Sequence, residues 1–89
     1  MSNAETLLKQ YYASREYPPD SLEYQQSLDI YLSLRNLLKL NVIDIVDIQV
    51  IDWIISGYSF RKTAQIVGID RRSVQTRYRK VLKLLEETL

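Results

Sequence analysis

Only two glycines and two prolines interrupt these 89 residues, so the chain has few places at which to turn sharply. The breaks stand at Pro18-Pro19, Gly57 and Gly68, and Asn41 is a further residue suited to a helix stop. Proline removes a backbone donor and disfavours helix in the residue before it. Glycine and asparagine accept the left-handed conformation that closes helices. Between the breaks the chain is rich in Leu, Ile, Gln, Lys and Arg, a composition that favours an all-α fold. Five helices are predicted, over 5–16, about 20–40, 44–56, 60–67 and 71–87.

Local signals support each element. Leu7, Leu8, Tyr11 and Tyr12 fall at helical spacing. Asp20 or Ser21 caps the second helix, and Asp20 with Glu23 has the shape of a capping box. Leu28, Tyr31, Leu32 and Leu38 give that helix a broad apolar face, with Ile30, Leu34 and Leu37 alongside. The third segment is β-branched enough to suit a strand. Its length and the spacing of Ile48, Ile51 and Ile55 decide for helix. Ser59 and Asp70 are the expected N-caps of the last two helices. The chain therefore reads as one domain over 1–89, with a helical extension at 5–41 and a second unit at 44–87. Ser2-Asn3-Ala4 resembles a cloning scar and is left out of that core.

Composition excludes several kinds of chemistry. Cysteine and histidine are both absent, which removes disulfides, thiolate and imidazole catalysis and the usual zinc ligands. The carboxylates are scattered and no glycine-rich phosphate loop is present, so neither an enzyme nor a cofactor is expected. Asp44, Asp47 and Asp52 read as caps and solvated positions, not as a metal site. No apolar run is long enough to span a bilayer and polar residues follow Met1, so a cytoplasmic protein without a membrane partner is expected.

Charge is distributed unevenly. Residues 1–58 carry net −4 and residues 59–89 net +5, although the whole chain carries only +1. One end is thus suited to meet a polyanion. The same end holds the most specific pattern, S-F-R-K-T-A-Q-I-V-G-I-D-R-R-S-V-Q-T-R-Y-R-K-V-L-K-L-L from Ser59. Ala64 is small where two crossing helices would touch, and Gly68 can take the turn's positive φ. Ile69 tucks beneath the turn, and Asp70 caps the next helix. Val74 and Tyr78 point inward against Ala64, Ile66 and Val67. Trp53, Tyr58 and Phe60 read as core aromatics. Part of the apolar set Val81, Leu82, Leu84, Leu85 and Leu89 packs on the third helix and part is left for a second chain.

On this geometry Arg71, Arg72, Gln75, Thr76 and Arg79 face outward as candidate readers of base edges, since arginine matches guanine and glutamine matches adenine by paired hydrogen bonds. Ser59, Arg61, Lys62, Arg77, Lys80 and Lys83 are the candidate phosphate contacts.

Residues 44–87 resemble region four of bacterial sigma factors, especially the extracytoplasmic-function type, and the DNA-binding domain of LuxR-type regulators. The resemblance rests on Gly57-Tyr58-Ser59, Ala64, Val67-Gly68-Ile69, Ser73-Val74, Arg77-Tyr78 and Val81-Leu82-Lys83-Leu84-Leu85. It implies a helix-turn-helix module whose last helix reads promoter DNA from the major groove. Tyr78 stands where the family usually has leucine. The first forty residues do not resemble the sigma region that contacts and melts the other promoter element. The layout is closer to small phage-encoded regulators with one or two helices before a sigma-like helix-turn-helix.

The leading expectation is a sequence-specific regulator binding double-stranded DNA, acting as a homodimer or beside RNA polymerase. The alternative is a docking module for polymerase or a sigma-like partner. A DNA-packaging adaptor of the small terminase type is a third reading. The tyrosines Tyr11, Tyr12, Tyr17, Tyr24 and Tyr31 either cover the core or form a dimer surface.

Overall fold

The computed structural model describes residues 3–13 and 22–88, with side chains at 4–10 and 28–88. Five helices and no strand occur among them: α1 (Asn3–Ala13), α2 (Leu22–Lys39), α3 (Ile45–Ile55), α4 (Phe60–Val67) and α5 (Arg71–Thr88). No described helix is long and apolar enough to cross a membrane. The expected roles of Pro18-Pro19, of the Asp20 or Ser21 cap with Glu23, and of Tyr11, Tyr12, Tyr17, Tyr24 and Leu89 lie outside the described residues and side chains.

α5 is the central element, packing on each of the other four helices. Its inner stripe is Val74, Tyr78, Val81 and Leu85, all buried and spaced to recur on one helix face. Opposite them lie Leu8 of α1, Ile30, Leu34 and Leu37 of α2, and Val50 and Ile51 of α3, in one continuous core. Each such side chain contributes about 1.5–3 kcal/mol on burial. Within the C-terminal apolar set, Val81 and Leu85 are fully buried, and Leu82 and Leu84 are partly buried against the core. Packing on α1 and α2, and not only on α3, makes this possible.

Two expectations are corrected. Ala4 is fully buried in the core, and its amide donates to Glu86 Oε1 at 2.7 Å, so the start of α1 is structural. The buried face of α2 is Ile30, Leu34 and Leu37, whereas Leu28 and Leu32 are exposed. Spacing alone defines two apolar stripes on this helix, and burial by α1 and α5 selects one.

The connections follow from backbone accounting. α2 closes with Asn41 at φ 60°; the amide of Asn41 bonds the Leu38 carbonyl at 3.1 Å and that of Val42 the Leu37 carbonyl at 3.0 Å. α3 closes the same way at Gly57, with φ 107°. There Gly57 bonds Ile54 at 3.0 Å and Tyr58 bonds Trp53 at 3.1 Å. Both are Schellman closures, which satisfy carbonyls that the helix leaves without partners. The second adds the apolar contact that often accompanies the motif: Trp53 and Tyr58 meet edge to face with centroids 4.9 Å apart. These two rings thus staple the end of α3 and are not central core, Tyr58 being exposed.

Candidate nucleic-acid interface

α4 is a short helix held at both ends. Ser59 Oγ accepts the Lys62 amide at 3.0 Å. At the other end Gly68 takes φ 83°. The amides of Gly68 and Ile69 converge on the Ala64 carbonyl at 2.9 and 3.2 Å. α5 begins two residues after Ile69. Asp70 Oδ1 accepts the Ser73 amide at 2.9 Å, and the Ser73 hydroxyl donates to Asp70 Oδ2 at 3.1 Å. These bonds favour the ionised carboxylate and hold Asp70 below its ordinary pKa.

The interior of this corner matches the sequence pattern except at Ile66 and Val67, of which Val67 is only half-buried. Ala64, Val74 and Tyr78 are buried, Ile69 packs against the core, and Phe60 meets the Tyr78 ring at 5.7 Å. Ile66 instead points outward and is exposed. Burial pushes the Tyr78 phenol up to about 12, with the Glu5 carboxylate adding to the effect. Thr63 was missed by sequence reasoning. It is fully buried, and its hydroxyl has no hydrogen-bond partner among the described residues.

The outer side of α5 carries the functional candidates. Arg72, Thr76, Arg79 and Lys83 are all exposed. Their four-three-four spacing repeats that of Val74, Tyr78, Val81 and Leu85, displaced by two residues. A shift of two residues is about 200° around a helix, so the polar stripe lies directly opposite the buried one. Arg71 is exposed at the helix start and Gln75 is half-buried on the flank. Ser59, Arg61 and Lys62 are exposed at the start of α4. Among the described residues no carboxylate lies within ion-pair distance of Arg61, Lys62, Arg71, Arg72, Arg79 or Lys83.

Arg77 and Lys80 have a different setting from the one expected of phosphate contacts. They face α3. Arg77 Nη1 donates to Asp44 Oδ1 and Oδ2 at 3.0 and 3.2 Å and to Asp47 Oδ1 at 3.0 Å. Lys80 Nζ donates to Asp47 Oδ2 at 2.8 Å. Asp44 and Asp47 form a reciprocal capping box at the start of α3: Asp47's amide donates to Asp44 Oδ1 at 2.9 Å and Asp44's amide to Asp47 Oδ2 at 3.0 Å. Asp44 is a cap, as expected, but Asp47 is fully buried and not solvated. The amide bond from Asp47, aided by Arg77, holds the Asp44 carboxyl below its usual range. Asp52 is pushed the other way by burial. Where α3 meets α5, Asp44, Asp70, Arg72, Ser73, Thr76, Arg77 and Lys80 line a shallow depression of about 460 Å³.

The signal for this clamp was present in the sequence as Asp44 and Asp47, three residues apart, and Arg77 and Lys80, likewise three apart. What hid it was the packing of α3 on α5, which sequence periodicity does not reveal. No protein-family model, curated protein or solved structure matches the chain.

Proposed function

We propose that the chain is a sequence-specific double-stranded DNA-binding regulator, in which α4, the turn at Gly68 and α5 act as a helix-turn-helix and α5 enters the major groove. The supporting observation is the exposed stripe Arg72, Thr76, Arg79 and Lys83, set opposite the buried stripe of the same helix. A groove-reading helix needs this division: one side fixed to the domain, the other rich in groups that form paired hydrogen bonds with bases. Arg71, Arg72, Gln75, Thr76 and Arg79 are the base readers in this reading. Ser59, Arg61, Lys62 and Lys83 meet phosphates. Arg77 orients α5 through α3, and Lys80, half-exposed beside Asp47, is a weaker phosphate contact. The resemblance of residues 44–87 to sigma region four agrees with this assignment. One reading helix makes few contacts, so a second copy or RNA polymerase completes the site. The protein then works where DNA is, in the cytoplasm.

Titration of labelled duplexes, recovered by selection from a random pool, tests the reading. Arg72→Ala and Gln75→Ala should each weaken the selected duplex by about 1–3 kcal/mol and leave random DNA nearly unchanged. Lys83→Ala should weaken both alike and lower the salt slope by about one. Equal losses on selected and random duplexes for Arg72→Ala and Gln75→Ala would remove base readout. No binding to any duplex, with capture of polymerase or a sigma-like protein, would favour docking instead.

A further inference from the structure

Exposed large apolar residues are concentrated away from α5. Leu28 and Leu32 on α2, Leu40 and Val42 in the following turn, and Ile45 at the start of α3 are between 39% and 61% exposed. On α2, Leu28 and Leu32 share the outer side with Arg35 and Lys39, at the four-three-four spacing that repeats along one helix face. That side is opposite the buried Ile30, Leu34 and Leu37. A shallow depression of about 410 Å³, lined by Leu32, Arg35, Asn36, Leu38 and Lys39, lies along it. Clustered apolar residues rimmed by charge mark an association surface.

The charges choose the occupant. Asp29, exposed, lies near the middle of this helix, and Arg35 and Lys39, also exposed, lie toward its C-terminal end. A parallel copy would set Asp29 on Asp29 and Lys39 on Lys39. An antiparallel copy reverses the order and matches opposite signs. We propose that this face of α2 pairs with the same face of a second copy, antiparallel, about a twofold axis level with Leu34. Asp29 of each copy then meets Lys39 of the other, Leu28 meets Leu40, and Leu32 covers the depression beside Asn36. Such an isologous contact needs one self-complementary patch, which this pattern supplies. It shares no residue with the outer stripe of α5. It would give the DNA-binding reading its second reading helix, yet it is testable on the free protein.

Sedimentation equilibrium of the full chain without DNA is the test. The expected mass is twice 10.5 kDa at high concentration, falling toward 10.5 kDa on dilution. Leu32→Glu should hold the chain monomeric. Asp29→Lys and Lys39→Asp should each weaken association at least about tenfold, because each places like charges together. The double variant carrying both should regain most of the dimer, a rescue that a general loss of structure would not give. A monomer at every concentration, or a dimer indifferent to these substitutions, would overturn the proposal. A double variant as weak as either single one would overturn the register. None of these outcomes depends on whether α5 binds DNA.

Discussion

At the scale of single residues, Asp47 departs most from its sequence appearance. A carboxylate near a helix start is ordinarily solvated, yet this one is fully buried and accepts bonds from Asp44's amide, Arg77 and Lys80. Its two cations remain partly exposed, at 30% and 43% of their side chains. Asp47→Asn would therefore leave no buried unpaired cation, but it would weaken charge-assisted bonds contributing about 1.5–3 kcal/mol each. Urea denaturation should show a loss of that order. In the DNA-binding reading the same substitution has a second effect. Arg77 keeps its bonds to Asp44, but Lys80 loses its carboxylate partner and becomes available to phosphates, so binding to random duplexes should strengthen and the salt slope should steepen. An unchanged slope would mean that Lys80 does not approach the backbone of DNA. The outer residues Arg72, Thr76 and Arg79 were legible from spacing alone, because their exposure follows from the inward direction of Val74 and Tyr78. Arg77 was not, since its direction depends on what lies across from it.

At the scale of elements, the breakers placed the boundaries well. Asn41, Gly57 and Gly68 each adopt positive φ, and Ser59 and Asp70 cap the helices that follow them. These signals are local, involving bonds between residues within five positions of one another, so the sequence contains all the partners. The two glycines differ in a testable way. Neither has an atom within 4 Å of the position a Cβ would occupy, so a methyl group meets no obstacle at either site. The cost of alanine is then conformational. Gly68 at φ 83° is nearer the left-handed minimum than Gly57 at φ 107°. Gly68→Ala should cost about 1–2 kcal/mol and Gly57→Ala more. Thermal unfolding of the two variants should rank them in that order, and equal midpoints would show that backbone strain at Gly57 is relieved elsewhere. Which side of α2 faces inward was not legible at this scale, because that choice belongs to the packing of α1 and α5.

At the scale of the whole molecule, the uneven charge resolves into two parts. Some of the C-terminal excess is neutralised by α3 through Asp44 and Asp47, and the rest stands outward on α4 and α5. Acid acts on the neutralised part. Asp44 has a folded-state pKa below its ordinary 3.8. A depressed carboxyl contributes stability above the unfolded value and loses it as pH falls through the folded one. Stability should therefore decline below about pH 4, and Asp44→Asn should flatten that decline in a pH series of urea midpoints. Alkali acts through Tyr78. With its phenol pushed up to about 12, the folded state resists ionisation, so its contribution is complete below the unfolded value near 10 and is lost as pH rises toward 12. Base reading by α5 is decided by the affinity of the wild type and of Arg72→Ala for a selected duplex and for a random one at the same salt. If α5 reads base edges, wild type prefers the selected duplex and Arg72→Ala loses mainly this preference. A wild type that binds both equally, or neither, would contradict it.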